Sequence, residues 1–295
     1  MRIAITGGKG MLGRTLRRRL AGHELMVADL PEVDILDLKG LTAAFNEFSP
    51  DVVVHCAAMT KVDDCETKDE LAFRLNGTGS ANVAHACSKC GARLIAISTD
   101  YVFSGDLEAG KEWRETDAPS PRTIYGASKL AGEKAVHEIL PSAVVMRIAW
   151  LYGAGGPSFV HTMAKLGAQE GAPLKVVDDQ RGNPTSTDAV AGAVEFLLGH
   201  PEVGGVVHAT CEGVCTWCDF AKEIFRLLGL KRAIVPCTTA EFPRPAPRPA
   251  NSALAKTVLA KLGFAMPRWQ DALADFTRHE FPGLSPFFLK ARDAP

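Results

Sequence analysis

Short apolar runs recur through the first half of the chain, and segments of helix-forming residues separate them. The runs cover residues 2–6, 24–29, 51–56, 92–98 and 142–148. Apolar runs of this length, bounded by turn residues, indicate strands that are buried on both faces. Because such strands alternate with helices, the pattern predicts a parallel sheet with helices on both sides and right-handed crossovers.

Three segments between these strands have the composition of helices. They are residues 14–21, 39–48 and 66–89. We expect the third to be one long helix, punctuated by Gly77 and Gly79.

A glycine-rich turn joins the first strand to the first helix. Gly7, Gly10 and Gly13 are spaced three residues apart, directly after the apolar run. Glycine permits a tight turn and close approach of the backbone to a ligand, while the helix N-terminus faces an anion. This context predicts a dinucleotide cofactor with its pyrophosphate on the turn. The alternative is a strand-to-helix turn that is merely rich in glycine.

Asp29 ends the second predicted strand, where the adenosine ribose of a dinucleotide lies in such folds. A carboxylate there accepts a hydrogen bond from a free 2′-hydroxyl and repels a 2′-phosphate. No Lys or Arg occurs between Ala28 and Asp37, and Arg14 stands across the loop. Asp29 therefore favours NADH over NADPH, unless it is only a solvated loop acid.

The character of the chain changes after residue 152. Breaks rich in glycine or proline occur at 153–157 and 181–184, and residues 242–249 alternate proline with other residues. Alternating prolines enforce an extended backbone. Since this segment stands between two helix-like stretches, we expect it to line a site rather than to act as a linker.

These patterns together predict an α/β fold of the Rossmann type, a doubly wound parallel sheet with a smaller C-terminal substrate-binding lobe. Residues 1–152 would form the dinucleotide-binding domain, and part of 186–212 would return to it. Residues 153–295 would form mainly the substrate-binding lobe.

Charge and hydropathy exclude several classes of function. The chain has 33 basic and 34 acidic residues, so no basic surface indicates binding to nucleic acid or to a membrane. No apolar run reaches the roughly 18 residues of a membrane span. Because the first strand begins at Arg2, we expect no signal peptide and a cytoplasmic protein.

Two cysteine clusters raise the question of a zinc site, Cys87 with Cys90, and Cys211 with Cys215 and Cys218. The first cluster lies near the end of a helix-like stretch, where cysteine often acts as a small apolar residue. We predict neither a metal nor structural disulfides, since the expected compartment is reducing.

Tyr125 and Lys129 stand four residues apart in the segment Tyr-Gly-Ala-Ser-Lys. On a helix both side chains lie on one face, a turn apart. A free phenol, with a pKa of about 10, is a poor acid–base catalyst at neutral pH. A nearby ammonium and a cationic nicotinamide ring would lower that pKa. The pair predicts a proton donor for carbonyl reduction, although the same spacing also occurs by chance on helix surfaces.

Thr99 and Asp100 follow the fourth predicted strand. Ligands of open α/β sheets bind at the carboxyl ends of the strands, so both residues fall where a substrate would meet the cofactor. The threonine hydroxyl could hydrogen-bond a substrate carbonyl oxygen beside the tyrosine.

In this order the motifs resemble the extended short-chain dehydrogenase/reductases and, more narrowly, the dTDP-4-dehydrorhamnose reductase family. Besides the glycine turn, the matching segments are residues 98–103, 125–134, 147–152, 179–185 and 248–254. The resemblance implies reduction of the 4-keto group of dTDP-4-dehydro-L-rhamnose to dTDP-L-rhamnose, with NADH or NADPH as cofactor. It leaves the oligomeric state open, with a homodimer as one form.

The resemblance also implies roles for individual residues. Tyr125 would donate the proton, Lys129 would hold the nicotinamide ribose and lower the pKa of the phenol, and Thr99 would complete the catalytic triad. The cofactor would contact Gly7, Gly10, Met11, Leu12, Gly13, Asp29, Asp34, Ile35, Ala57, Ala58 and Met59, besides Tyr125 and Lys129. The substrate would contact Val62, Thr99, Asp100, Tyr101, Trp150, Arg248, Asn251 and Ser252. Ordinary roles remain open for two of these, since Trp150 could only pack the core and Arg248 could only keep the proline segment soluble.

The chain departs from the family pattern at His55, where the family often has asparagine. Some family members carry magnesium at a dimer contact, but we predict no metal here. One alternative is a sugar-nucleotide epimerase or dehydratase, although dehydratases have Asp-Glu where this chain has Asp100-Tyr101. The other is a non-catalytic subunit like the β subunit of methionine adenosyltransferase, which keeps the Tyr-Lys pair but tends to carry Asn in place of Asp100.

Overall fold

A computed structural model describes residues 1–283. The strands are β1 (Arg2–Thr6), β2 (Glu24–Ala28), β3 (Val52–His55), β4 (Arg93–Thr99), β5 (Val144–Ile148), β6 (Leu151–Tyr152), β7 (Leu174–Val177), β8 (Arg181–Gly182), β9 (Thr185–Ser186), β10 (Gly205–His208), β11 (Cys215–Thr216) and β12 (Ile234–Cys237). The helices are α1 (Met11–Arg19), α2 (Leu38–Phe48), α3 (Val62–Thr67), α4 (Asp69–Phe73), α5 (Gly79–Cys90), α6 (Ile124–Ile139), α7 (Phe159–Gly167), α8 (Thr187–Leu198), α9 (Trp217–Leu228), α10 (Thr257–Lys261) and α11 (Trp269–Glu280).

The central sheet has six parallel strands in the order β10-β5-β4-β3-β1-β2. The chain runs from β1 outward to β2 and then reverses direction across the sheet through β3, β4 and β5. The strand order therefore reverses between β1 and β3, which is where ligands bind in open α/β sheets. The predicted doubly wound α/β fold is confirmed, and so is each of the five predicted strands.

Alternating residues of β1 divide the apolar core into two layers. Ile3 and Ile5 pack on one face of the sheet with α1 and α8, while Ala4 packs on the other with Phe45 of α2 and Val83 of α5. This alternation is the two-residue period of a strand, and burial of both faces explains why the strands read as continuous apolar runs.

The prediction of one long helix over residues 66–89 is wrong. The chain leaves the helical region at Lys68 (φ −131°, ψ 48°), and residues 74–78 form one π-helical turn before α5. At Lys68, neighbouring side chains form hydrogen bonds with backbone groups and so compete with the hydrogen bonds of a continuous helix. The Thr67 hydroxyl donates to Asp64 O, and the Asp69 carboxylate accepts from the Glu70 N–H. Turns of π-helix inside α-helices frequently occur at functional sites.

The chain after residue 152 contributes to two regions. Helix α8 packs on α1, and β10 adds to the edge of the central sheet beside β5. Strand pairs β7–β12 and β8–β11 form separate small sheets near α9. The division of the chain at residue 152 stays a prediction. Across residues 1–283, no helix has the length and apolarity that crossing a membrane requires.

Candidate active site

The glycine turn forms a cradle between the ends of β1 and β3. Gly7 has a φ of +65°, and a Cβ atom on it would stand 2.7 Å from Ala57 N. A Cβ on Gly13 would stand 2.4 Å from Gly7 O. A side chain at either position would collide with backbone atoms, which explains why the chain has glycine at both. The close approach at Gly7 also shows that Ala57 lies beside the turn.

The N-terminus of α1 opens onto this cradle. Gly10 caps the helix without a side-chain hydrogen bond, and Met11 and Leu12 form its first turn. The first N–H groups of a helix lack partners within it and carry a partial positive charge. A helix start that has no side-chain cap, beside a cradle kept free of side chains, fits the pyrophosphate of a dinucleotide.

The Asp29 carboxylate lies at the end of β2, beside the same turn. It accepts hydrogen bonds from Lys9 N (2.8 Å) and Leu30 N (2.9 Å). The Lys9 ammonium donates to Leu30 O (2.6 Å) and pairs with Glu32 at 2.8 Å. The Lys9 ammonium therefore lies near the predicted position of the adenosine ribose, although residues 28–37 contain no Lys or Arg. Asp34, which is exposed, and Ile35, which is buried, follow in the same loop.

The segment after β3 carries Ala57, Ala58 and Met59, all partly exposed. Asn76 of the π-helical turn holds it, because Asn76 Oδ1 accepts from Met59 N (2.8 Å) and Nδ2 donates to Met59 O (3.1 Å). The same Nδ2 donates to Ser128 Oγ of α6 at 3.0 Å. The π-helical turn thus fixes the segment after β3 against the helix that carries Tyr125.

Thr123 begins the tyrosine helix, since its side chain caps α6 by accepting from Gly126 N (2.9 Å). Tyr125 is 9% exposed and clusters with Val62 and Met59. Its ring meets that of Tyr101 edge-to-face, with the centroids 5.5 Å apart. The structure therefore brings together four residues that were predicted for cofactor or substrate.

Burial raises the pKa of Tyr125, and a hydrogen bond with Thr99 opposes this shift. The direction is opposite to the lowering expected from Lys129, so that expectation is corrected. The reason is that the phenol lies in a nearly closed apolar cluster, where the charged form loses its hydration.

The Lys129 ammonium is buried and donates to Ile97 O of β4 at 2.8 Å. Burial lowers the pKa of Lys129 to about 8, while the charges of Glu133 and Cys56 raise it. Glu133 follows one turn later on α6 and is itself buried. It accepts from Ser98 Oγ (2.5 Å) and forms a bidentate ion pair with Arg147 (2.9 and 2.6 Å).

Thr99 and Asp100 are both buried at the end of β4. Thr99 Oγ1 donates to Asp100 Oδ1 at 3.0 Å and accepts from Tyr101 N at 3.2 Å. Burial raises the pKa of Asp100 to about 6, and hydrogen bonds from Ser252 and Thr99 oppose the shift. Ser252 of the C-terminal part therefore lies beside the predicted triad.

Arg248 belongs to the proline segment and is held by Asp63 of α3. Arg248 Nη2 donates to Asp63 Oδ1 (2.8 Å), and Arg244 pairs with the other carboxylate oxygen at 2.7 Å. The Ala246 N–H donates to Asp63 as well. One carboxylate thus ties the extended segment to the region around Val62.

Trp150 adopts a positive φ of 46°, which is uncommon for a bulky residue. Its ring stacks on Trp217 with the centroids 3.6 Å apart, and a Cβ on Gly182 would stand 2.5 Å from it. The half-buried ring packs against the core. Its predicted contact with the sugar stays a prediction.

Comparison with known proteins identifies the chain. The family model described as RmlD substrate binding domain matches residues 1–281. The chain belongs to this family.

Relatives of the RmlD family match the chain along nearly its whole length. A probable dTDP-4,6-dihydroxy-2-methyloxan-3-one 4-ketoreductase of Streptomyces antibioticus is 44% identical over 96% of this chain and 96% of its own. The crystal structure of a dTDP-4-dehydrorhamnose reductase from Clostridium acetobutylicum is 41% identical, with a TM-score of 0.91, and covers 95% of this chain and 99% of its own. The structure of the Bacillus anthracis dTDP-4-dehydrorhamnose reductase, solved in complex with NADP, is 37% identical in sequence, with a TM-score of 0.90. The match covers 94% of this chain and 99% of the Bacillus anthracis chain.

His55 is the departure from the RmlD family pattern noted in the sequence. It is buried at the end of β3, where Nδ1 contacts Thr6 Oγ1 (2.6 Å) and Nε2 contacts Ser80 Oγ (3.1 Å). Burial, with a smaller effect of Lys129, lowers the pKa of His55 to about 3. The imidazole is therefore neutral and joins β1 to α5.

The Asn251 side chain forms hydrogen bonds with three backbone groups of the protein itself. Its Nδ2 donates to Glu108 O (3.1 Å) and Lys111 O (3.0 Å), and its Oδ1 accepts from Ala253 N (3.1 Å). These bonds position the loop that carries Arg248 and Ser252. The structure gives Asn251 a supporting role, while its predicted contact with the substrate stays a prediction.

Four residues with contacts that shape the candidate site were not predicted from the sequence: Lys9, Asp63, Asn76 and Glu133. Lys9 stands inside the glycine turn, so its position was a usable signal, and Glu133 stands four residues after Lys129 on the helix face. Asp63 and Asn76 reach the site through contacts with distant segments, which no local pattern indicates.

The eight cysteines are all free thiols in the structure. Cys211, Cys215 and Cys218 are buried in the same apolar core, with Phe220 and Trp269. Within the part of the chain that the structure describes, no group of three or more His, Cys, Asp or Glu residues is arranged to hold a metal ion.

Proposed function

We propose that this protein reduces the 4-keto group of dTDP-4-dehydro-L-rhamnose to dTDP-L-rhamnose with a nicotinamide cofactor. The convergence of Thr99, Tyr125 and Lys129 at the end of β4, beside the glycine cradle, carries this proposal. When bound, the reduced nicotinamide supplies the hydride. The chain's own residues must then orient the ketone and deliver a proton.

Tyr125 is the proton donor in this proposal. Its raised pKa keeps the phenol protonated at neutral pH, which is the form that can donate to an alkoxide. Lys129 stays largely protonated below its pKa of about 8 and lies where it can hold the nicotinamide ribose. Its ammonium, one turn from Tyr125, would also stabilise the phenolate that remains after proton transfer.

Arg248 and Arg244 suit the diphosphate of a sugar nucleotide. A guanidinium can grip phosphate oxygens with two parallel hydrogen bonds. Asp63 holds both arginines beside Val62 and Tyr101, so they are oriented before the substrate arrives. Such orientation reduces the entropy lost on binding.

The cofactor preference follows from three charges at the end of β2. Asp29 and Glu32 are acidic and Lys9 is basic, so the group carries a net charge of −1. We infer that NADH is favoured over NADPH, because this group repels a 2′-phosphate. Since Lys9 offsets part of that repulsion, the preference is modest and NADPH is also accepted.

The direct test follows oxidation of NADH and NADPH by absorbance, with substrate made in situ from dTDP-glucose by the upstream dehydratase and epimerase. Tyr125→Phe should lower kcat by at least about 100-fold, because it removes the proton donor. Tyr152→Phe is the matched control, since the buried Tyr152 hydroxyl has no hydrogen-bond partner among residues 1–283. Normal turnover by Tyr125→Phe would end the assignment, and a wild-type protein that binds cofactor without turnover would indicate a non-catalytic subunit.

A second candidate is 4-ketoreduction of another dTDP-linked deoxysugar. The Streptomyces antibioticus relative, which is named for such a reaction, supports it at 44% identity. Measuring kcat/KM for both ketosugars separates the two functions. A larger value for dTDP-4-dehydro-L-rhamnose supports the first proposal, and a larger value for the other ketosugar replaces it.

A further inference from the structure

Residues 104–117, which we call the strap, leave the candidate active site directly after Phe103. Backbone hydrogen bonds join the strap to residues 249–255, from Asn251 N to Gly105 O (2.9 Å), from Trp113 N to Ala253 O (2.8 Å) and from Ala255 N to Trp113 O (2.8 Å). The strap therefore connects the end of β4, where Thr99 lies, to the part of the chain that follows Arg248.

The Trp113 side chain makes the same connection. Its indole ring lies flat on the Phe103 ring, with the centroids 4.6 Å apart and the planes at 9° to each other. Its Nε1 donates to Asn251 O at 3.0 Å. Phe103 is itself buried in an apolar cluster with Val102 and Leu254. The indole is thus stacked on a buried ring and holds the Asn251 backbone by a hydrogen bond.

The backbone passes the position of Asn251 on to Arg248. Only two residues separate them, and one is Pro249. A proline ring fixes φ near −65°, which limits independent movement of its neighbours. The strap also approaches Pro249 directly, since a Cβ atom on Gly105 would stand 2.5 Å from Pro249 Cα. A shift of the Asn251 backbone would therefore move Arg248, whose guanidinium donates to the Asp63 carboxylate at 2.8 Å.

We propose that Trp113 is a positioning residue for the sugar nucleotide, which acts through the Asn251 carbonyl to set where Arg248 meets the substrate diphosphate. This inference rests on the function proposed above and deepens it. A guanidinium grips phosphate with two parallel hydrogen bonds only in a defined orientation, so a small displacement of Arg248 weakens the contact. The Trp113 N–H is already used by Asn251, so its effect on the substrate is indirect.

The test is Trp113→Phe, which keeps a ring to stack on Phe103 but lacks the N–H that the Asn251 carbonyl accepts. Binding of dTDP, measured by calorimetry, should weaken about 3- to 10-fold, as expected for the loss of one hydrogen bond. Binding of NADH should change less than about 2-fold, because β1 and β3 build the glycine cradle. In the reductase assay, KM for the ketosugar should rise by the same factor as the Kd of dTDP, with kcat changed less than about 3-fold.

Trp269→Phe is the matched control. Trp269 is buried on α11, where its ring meets that of Phe220 edge-to-face. Its replacement should lower the melting temperature and leave the Kd of dTDP unchanged. If Trp113 only supports the fold, Trp113→Phe will behave in the same way as this control, and that result would overturn the proposal.

A double-mutant cycle with Arg248→Met tests the route. This variant should also weaken dTDP binding, and adding Trp113→Phe to it should cost less than about 2-fold more, because both residues act on one contact. Additive losses would show that Trp113 acts elsewhere and would overturn the proposal. If Arg248→Met does not fold, Trp113→Phe alone decides.

The same measurements separate this inference from the proposed function. Unchanged dTDP binding in Arg248→Met would contradict the diphosphate role of Arg248 and the inference with it. A wild-type protein that binds dTDP but does not reduce the ketosugar would contradict the reductase function, whereas the binding of dTDP by Trp113→Phe would still decide the role of Trp113.

Discussion

Burial sets the acid–base properties of the proposed catalytic pair. It raises the pKa of Tyr125 and lowers that of Lys129, so both side chains are driven toward their neutral forms. Glu133 counters this for Lys129, since a buried negative charge one turn away favours the ammonium. The ion pair with Arg147 and the bond from Ser98 hold Glu133 in place. The charge state of the lysine in the Tyr-x-x-x-Lys motif therefore depends on a third residue of the same helix, Glu133.

The proposed cofactor preference depends on single charges at the end of β2. Lys9→Met should change the charge of the Lys9, Asp29 and Glu32 group from −1 to −2 and lower kcat/KM for NADPH, relative to NADH, by about 3- to 10-fold. Glu32→Gln should change it to zero and shift the ratio the other way by a similar factor. The measurement is the ratio of the two kcat/KM values at low ionic strength.

Lys165→Met, at an exposed lysine of α7, controls for the loss of one positive charge from the whole protein. The ratio should not change in this variant. Equal ratios in Lys9→Met, Glu32→Gln and the wild type would show that these charges do not contact the 2′ position.

Helix α6 packs closely against the π-helical turn because Gly132 has no side chain at the contact. A Cβ on Gly132 would stand 2.2 Å from Asn76 O and 3.0 Å from Ser80 Oγ. The same Asn76 bonds Met59 and Ser128, so this one contact aligns the tyrosine helix with the segment after β3. The irregular stretch that replaced the predicted long helix therefore has a role in assembling the site.

Gly132→Ala should destabilise the protein by about 1–3 kcal/mol, because the new methyl group meets rigid backbone. Activity should fall as well, since α6 carries both Tyr125 and Lys129. Denaturant unfolding and the reductase assay measure the two effects. Gly22→Ala is the matched control, because a Cβ there meets no atom within 4 Å. Equal stability of the two variants would refute close packing at Gly132.

At the scale of the whole molecule, two buried histidines make stability sensitive to acid. Burial lowers the pKa of His55 to about 3 and that of His208 to about 4. In the unfolded chain both titrate near 6.5. The unfolded state therefore binds more protons than the native state between these values, and stability falls as pH drops below 6.5. Asp100, whose pKa is raised to about 6, acts in the opposite direction and offsets part of the loss.

His55→Asn should remove much of this sensitivity. For His55 alone, the loss between pH 6.5 and 5 is about 2 kcal/mol. Melting temperatures at pH 7.5 and pH 5 should therefore differ less in His55→Asn than in the wild type. His85→Asn, at an exposed histidine of α5, should keep the wild-type difference. An unchanged difference in His55→Asn would mean that His55 is protonated in the folded protein at pH 5.

The sequence alone determined the parallel sheet, the glycine turn, the Tyr125–Lys129 pair and the membership of the family. These features are local, because strand periodicity, turn glycines and helical spacing are each written within a few neighbouring residues. Only the tertiary structure decided that Lys9 pairs with Glu32, that Asp63 holds Arg244 and Arg248, and that Asn76 holds Met59. It also reversed the expected pKa shift of Tyr125. Burial and long-range contacts depend on which distant segments the fold brings together, and no local pattern contains that information.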